Sequence, residues 1–203
     1  LMNIYNFHSN PEKLIQIATE FTKEVSGKDA EFFYKHGLVD YENPIEVING
    51  DLDLEDSAYE HGLDFYEFDA SVVNGNLRFS GGSLPPNITV NGNYIGLDTY
   101  IVHENITITG NADLTNTTDF IEEFGDNVTI GGDLLMNGVD VIALGDNLTV
   151  GGNLNLLGSS IADLPKDLKV GGYLIITDTT LNPSNLPTTI QVGKKIISKD
   201  GDI

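Results

Sequence analysis

Apolar and polar residues alternate in short runs along most of the chain, and glycine splits the runs in pairs. In "NLTVGGNLNLL" (147–157), Leu148 and Val150 precede Gly151-Gly152, and Leu154 and Leu156 follow. Alternation at every second residue predicts a strand with one buried face. The glycines predict a corner between two strands, where freedom at positive φ lets the chain bend.

The pattern repeats. Anchored on the glycine before the second run, it recurs at Gly50, Gly75, Gly92, Gly110, Gly132, Gly152 and Gly172, with Lys194 in a degraded eighth copy. The spacings are 25, 17, 18, 22, 20, 20 and 22 residues, a loose period near 20. Two residues before the anchor stand Ile48, Val73, Val90, Ile108, Ile130, Val150, Val170 and Val192, all β-branched. Two residues after it stand Leu52, Leu77, Tyr94, Ala112, Leu134, Leu154, Leu174 and Ile196. A third apolar column is expected nine residues on, at Tyr59, Leu84, Ile101, Val141, Ile161 and Leu181. Asn87, Asn105, Asn127, Asn147 and Asp167, five before the anchor, predict an amide ladder from coil to coil. Four of the five N-x-T sequons fall on that column, which favours the ladder over glycan attachment.

One such unit buries too few side chains to offset the entropy of ordering it, so units must stack. The expected fold is mainly β: a parallel β-solenoid of about eight ~20-residue coils over residues 45–203, with an α-helical N-terminal cap over 1–44. Eight coils at ~4.8 Å make a rod roughly 35–40 Å long. "NPEKLIQIATEFTKEVSG" predicts a first cap helix, with Asn10 as N-cap, Pro11 at the first helical position and Gly27 as stop. Leu14, Ile17, Ala18, Phe21 and Val25 form its apolar stripe. A second helix is expected from Asp29 to His36. Such a pair would cover the open first coil, whose raw edge invites aggregation; the other reading is a partner-binding helix. Lys194 and Lys195 would guard the last edge.

At the level of these units, "LPKDLKVGGYLIITDTTL" resembles the short leucine-rich and β-solenoid repeats common in phage and bacterial genomes. The skeleton LP-x-x-L-x-V-G-G-x-L carries the likeness, strongest from about Asn127 to Pro187. The units also resemble the 20-residue leucine-rich repeats of secreted bacterial effectors, without the asparagine those carry after the strand. The resemblance implies a binding role and supplies no catalytic residue.

Charge changes the picture most. The chain of 203 residues carries 31 acids and 10 bases, a formal net charge of −21. That excludes ordinary nucleic-acid binding and disfavours docking on anionic membranes. Cysteine is absent, so disulfides and thiolate metal sites are excluded. No apolar run is long enough to span a membrane, and "LMNIYNFHSNPEKL" lacks the basic and apolar parts of a secretion signal. The expected location is the cytoplasm, that of the host cell if the protein is phage-encoded. Between Glu42 and Asp163 lie 21 acids and one base, Arg78.

Catalytic chemistry is not expected. His8, His36, His61 and His103 are scattered without metal-ligand spacing, Ser159-Ser160 sit at a corner with no histidine in the repeat, and "DLDLED" does not continue as a calcium loop. No cofactor or metal is expected. The candidate partner-binding residues are Asp51, Asp53, Glu55, Asp56, Glu60, Asp64, Tyr66, Glu67 and Asp69, with an acidic column at Glu104, Asp126 and Asp146. Tyr59, Phe65 and Phe68 join Tyr66 as possible aromatic anchors, or else pack between cap and first coils.

The acids admit three readings: solubility, mimicry of a nucleic acid, or shared hard cations. Duplex DNA presents about 17 charges over the ~29 Å of six coils, a number the central block approaches. The favoured function is therefore a non-enzymatic inhibitor that binds a basic, nucleic-acid-handling host or defence protein, of the anti-CRISPR or anti-restriction type. The alternative is a structural repeat protein, a phage tail component or an adhesin.

Overall fold

The computed structural model describes residues 24–35, 39, 44–55, 68, 70–80, 82–117 and 120–202. The alternating runs form strands, and the strands stack in parallel into a β-solenoid of about eight turns. Residues before the corner build a nine-stranded sheet from Glu24–Ser26 to Gln191–Val192. Residues after it build a second sheet from Leu52–Leu54 to Ile196–Ser198, closed by Gly201–Asp202. A third, shorter sheet pairs Ser83–Leu84, Ile101–Val102 and Glu123–Phe124.

Register holds the apolar columns together. Ile130 pairs with Ile108 and Val150, and Leu134 with Ala112 and Leu154. Stacking seals these side chains between coils: Ile48, Val73, Leu77, Leu134, Leu154 and Leu174 are all fully buried or within 1% of it. Ala112 stands beside Tyr94 in its column, so a small residue adjoins a large one.

The third column departs from the count. Ile101 is half-buried, and Val102 takes the inward place, in register with Leu84 and Phe124. The coils starting at Gly75 and Gly92 are 17 and 18 residues long, so a fixed offset fails beyond the second sheet. In the 20-residue coils the third side is longer and buries two residues three apart, Val141 with Leu144 and Ile161 with Leu164. Leu164-Pro165 closes the coil as expected, through a turn in which the Leu168 amide donates to the Pro165 carbonyl at 3.2 Å.

The corner glycines are there for a different reason than the pattern suggested. Only Gly50, at φ +105°, adopts a left-handed backbone among them. At Gly131, Gly151, Gly171 and Gly193 a Cβ would fall within 3.0 Å of the carbonyl of the equivalent residue one coil earlier. Close approach of stacked backbones excludes a side chain.

Left-handed backbone is instead found on the asparagine column. Asn87, Asn105, Asn127 and Asn147 have φ of 66°, 59°, 59° and 60°. Asparagine enters this region more readily than other side-chain-bearing residues. The same side chains form the expected ladder: the Nδ2 of Asn105, Asn127 and Asn147 each donates to the preceding Oδ1 at 3.1 Å.

At the N-terminal end, Glu24–Ser26 is a strand, not the end of a helix. Its Val25 pairs with Ile48, so the first sheet begins inside the segment expected to be cap. Gly27 stacks on the corner column and opens helix α1 (Gly27–Lys35) instead of ending one. Ser26 caps it: the Asp29 amide donates to Ser26 Oγ at 3.2 Å, and Ser26 Oγ donates to the Asp29 carboxylate at 2.7 Å. The helix buries Ala30, Phe33 and Tyr34. The edge amide of Asp53 donates to Glu31 Oε1 at 3.1 Å. Helix α1 thus covers the first edge of the second sheet. The rest of the expected first helix, residues 11–23, lies outside the described residues.

At the other end, Gly201–Asp202 folds back antiparallel on Ile197–Ser198. Lys195 reaches Asp202 at 3.5 Å, and Lys194 lies over the Tyr173 ring at 4.7 Å. The last coil has nothing stacked on its apolar columns among the described residues, and Leu186, Ile190, Val192 and Ile196 are only half-buried.

A buried polar pair, Tyr94 and Thr99, sits in the core. The Tyr94 hydroxyl is fully enclosed and lies 2.9 Å from Thr99 Oγ1, in space that a Cβ on Gly96 would occupy. Burial pushes the Tyr94 phenol well above its ordinary 10.0, and the Thr99 hydrogen bond only partly offsets this. Above pH about 10 the unfolded chain releases this proton and the folded chain keeps it, so stability falls by about 1.4 kcal/mol per pH unit. Tyr94→Phe is expected to flatten that limb of the stability profile. Urea unfolding across this alkaline range checks it; equal slopes for the two proteins would refute the assignment.

Candidate functional site

The structure divides the expected site into two groups on different sides of the first sheet. Asp51, Asp53 and Glu55 lie on and beside the strand Leu52–Leu54, whose two leucines are buried. These acids are engaged within the chain. Asp51 Oδ1 accepts from the amide and the Nδ2 of Asn76 at 2.7 and 3.0 Å. Asp53 Oδ1 accepts from the Glu55 amide at 3.0 Å, and Glu55 pairs with Arg78 at 2.6 Å.

Asp51 is in fact the first rung of a second ladder. Asn76, Asn93, Asn111, Asp133 and Asn153 follow it, each side-chain oxygen accepting the backbone amide of the next rung, ending at the Tyr173 amide at 2.9 Å. The signal was present in the sequence: the residue after the anchor glycine is Asn or Asp in six consecutive coils. A free carboxylate face and a structural ladder give the same residue types, and only the hydrogen-bond partners separate them.

Asp56, Glu60, Asp64, Tyr66, Glu67 and Asp69 lie outside the described residues, as do Tyr59 and Phe65. Phe68 is buried, with its ring 5.5 Å from Tyr34 of α1 and 5.2 Å from Phe79. It packs cap against coil and is no surface anchor.

Glu104, Asp126 and Asp146 occupy the corner that leads into the first sheet, all exposed. Each precedes a left-handed asparagine, which fixes the corner and turns the acid outward. Their carbonyls accept the amides of Asn87, Asn105 and Asn127 at 3.1, 2.9 and 2.8 Å, so the three acids lie on neighbouring coils. The Asp146 amide also donates to Asp126 Oδ1 at 2.8 Å. Coils stand ~4.8 Å apart, and like charges at that spacing repel. Glu122, Glu123, Asp140 and Asp163, exposed on the adjoining third side, extend the field. Lys166 takes the place of the acid in the next coil.

No cluster of three or more metal-ligating side chains occurs among the described residues. His103 is the one histidine among them. Ser159 is buried, and Ser160 Oγ is held by the amide and carbonyl of Val141 at 3.0 and 3.3 Å. A groove of about 740 Å³ near the C-terminal end is lined by Asp146, Asp163 and Asp167 together with Lys166 and Lys169. Neither place unites a nucleophile with a base.

The fold defines a class, a parallel β-solenoid with an exposed acidic corner. No family model, curated protein or solved structure matches the chain. No helix among the described residues is long and apolar enough to cross a membrane.

Proposed function

We propose that this β-solenoid is a non-enzymatic binding protein whose acidic surface takes the place of nucleic acid on a basic, nucleic-acid-handling protein. One observation carries the reading: Glu104, Asp126 and Asp146 project from neighbouring coils, and no Lys or Arg occurs between Arg78 and Lys166. Arg78 itself is bound to Glu55. A rod with carboxylates about every 5 Å, and a lysine only at the far end of the column where Lys166 follows Asp146, focuses a negative field and steers a cationic partner. In this reading the protein is an inhibitor of the anti-restriction or anti-CRISPR type, phage-encoded and acting on a defence component in the host cytoplasm.

The test is a pull-down from host lysate at about 50 mM and about 500 mM salt, with competition by DNA or RNA. The expected partner is basic, is released by high salt and is displaced by the nucleic acid it normally binds. A partner that is neutral and indifferent to both treatments would sink the reading. The half-buried Leu186, Ile190, Val192 and Ile196 of the last coil favour a second reading, a structural repeat protein that assembles through its end. That reading predicts concentration-dependent oligomers in sedimentation, where the first predicts a monomer.

A further inference from the structure

Four large apolar side chains are exposed among the described residues, and three lie on the third side of the rod: Tyr100 at 39%, Phe120 at 38% and Ile142 at 65%. They come from three successive coils. The Glu122 amide donates to the Tyr100 carbonyl, and Ile121 bridges Val141, which sets Tyr100, Glu122 and Ile142 on one line. Packing does not require Phe120 or Ile142. The inward places on this side belong to Ile121, Phe124, Val141 and Leu144, and the outward place of Ile142 holds Glu122 one coil earlier. An apolar cluster that folding does not need marks a contact surface.

Its surroundings select the occupant. Glu122, Glu123 and Asp140 lie among the apolar residues, and the Glu104–Asp126–Asp146 corner adjoins them. A second copy of a chain with net charge −21 would bring like charges onto this field. We infer that the third side is the docking face for a basic, amphipathic segment of a partner protein, with Phe120 and Ile142 receiving its apolar side chains and the flanking acids its Lys or Arg. Apolar anchors inside a charged rim are the usual anatomy of a binding centre. The inference rests on the proposed function for the sign of the partner's charge, and adds where it docks and that it needs apolar anchors.

The experiment uses the full chain and three labelled synthetic peptides of equal length: alternating Lys/Leu, alternating Lys/Gly and alternating Ser/Leu. Fluorescence anisotropy is expected to show the Lys/Leu peptide binding at least about tenfold more tightly than the other two. The double variant Phe120→Ser, Ile142→Ser should reduce Lys/Leu binding to the Lys/Gly level and leave Lys/Gly binding unchanged. Leu157→Ser removes the fourth exposed apolar side chain, which lies beyond the second sheet, and should change neither. Circular dichroism checks that the variants are folded. Equal binding of Lys/Leu and Lys/Gly would overturn the docking face and leave the acidic-decoy reading standing. Binding of neither basic peptide would remove both. Equal binding of Ser/Leu and Lys/Leu, or self-association abolished by the double variant, would also overturn it, because the occupant would then be uncharged or a second copy.

Discussion

Gly151→Ala is expected to destabilise the protein by about 3 kcal/mol, a large effect for adding one methyl group. The new Cβ would fall within 3.0 Å of the Gly131 carbonyl, a backbone group that cannot move without separating two coils. Gly158→Ala is the informative partner. Gly158 has φ +68° and nothing within 4 Å of its Cβ position, so alanine there costs only the left-handed backbone, about 1–2 kcal/mol. Asparagine separates the causes further. If Gly151 served φ, Gly151→Asn would be tolerated; steric exclusion makes it at least as damaging as alanine. Urea unfolding of the three variants measures this, and a Gly151→Ala cost no greater than that of Gly158→Ala would refute the close-approach account.

Leu134→Ala should cost about 3–4 kcal/mol, and Ile196→Ala about half as much. The two residues share one column. Leu134 is fully buried between Ala112 and Leu154, whereas Ile196 has Leu174 on one side and is half-buried. A solenoid coil gains stability from each neighbour, so an interior cavity is sealed on both sides and an end position is partly hydrated already. Equal losses in urea unfolding would show that the last coil is as enclosed as the centre.

Much of this was legible along the chain. Val150, Leu154 and their counterparts declared strands and a stacking repeat because inward and outward places alternate within each coil. Asn105, Asn127 and Asn147 declared a ladder because an identical amide every coil has no better use. The left-handed backbone of those asparagines was not legible, since residue identity alone does not report φ. Val102 in place of Ile101 was not legible, because offsets from the corner accumulate the length differences of individual coils. Glu24–Ser26 reads as helix along the chain because Val25 fits an apolar stripe of period 3.6 as well as it fits the β-branched column.

The candidate site was legible as a charge excess but not as a place. Asp51 and Glu104 are equally acidic in sequence. Asp51 proves to be a rung whose oxygen is taken by Asn76, and Glu104 an outward acid beside Asp126. The exposed Phe120 and Ile142 looked like any other apolar residues, because exposure depends on which side of the coil each falls.

The sequence by itself determined the strands, the corners, the stacking period and the sign of the surface. Those depend on the order of residues within one coil, which the chain spells out. Tertiary structure alone decided why glycine stands at the corners, which acids line the exposed corner, and which apolar residues face water. Each of these depends on the distance from one coil to the next, and that distance exists only once the coils are stacked.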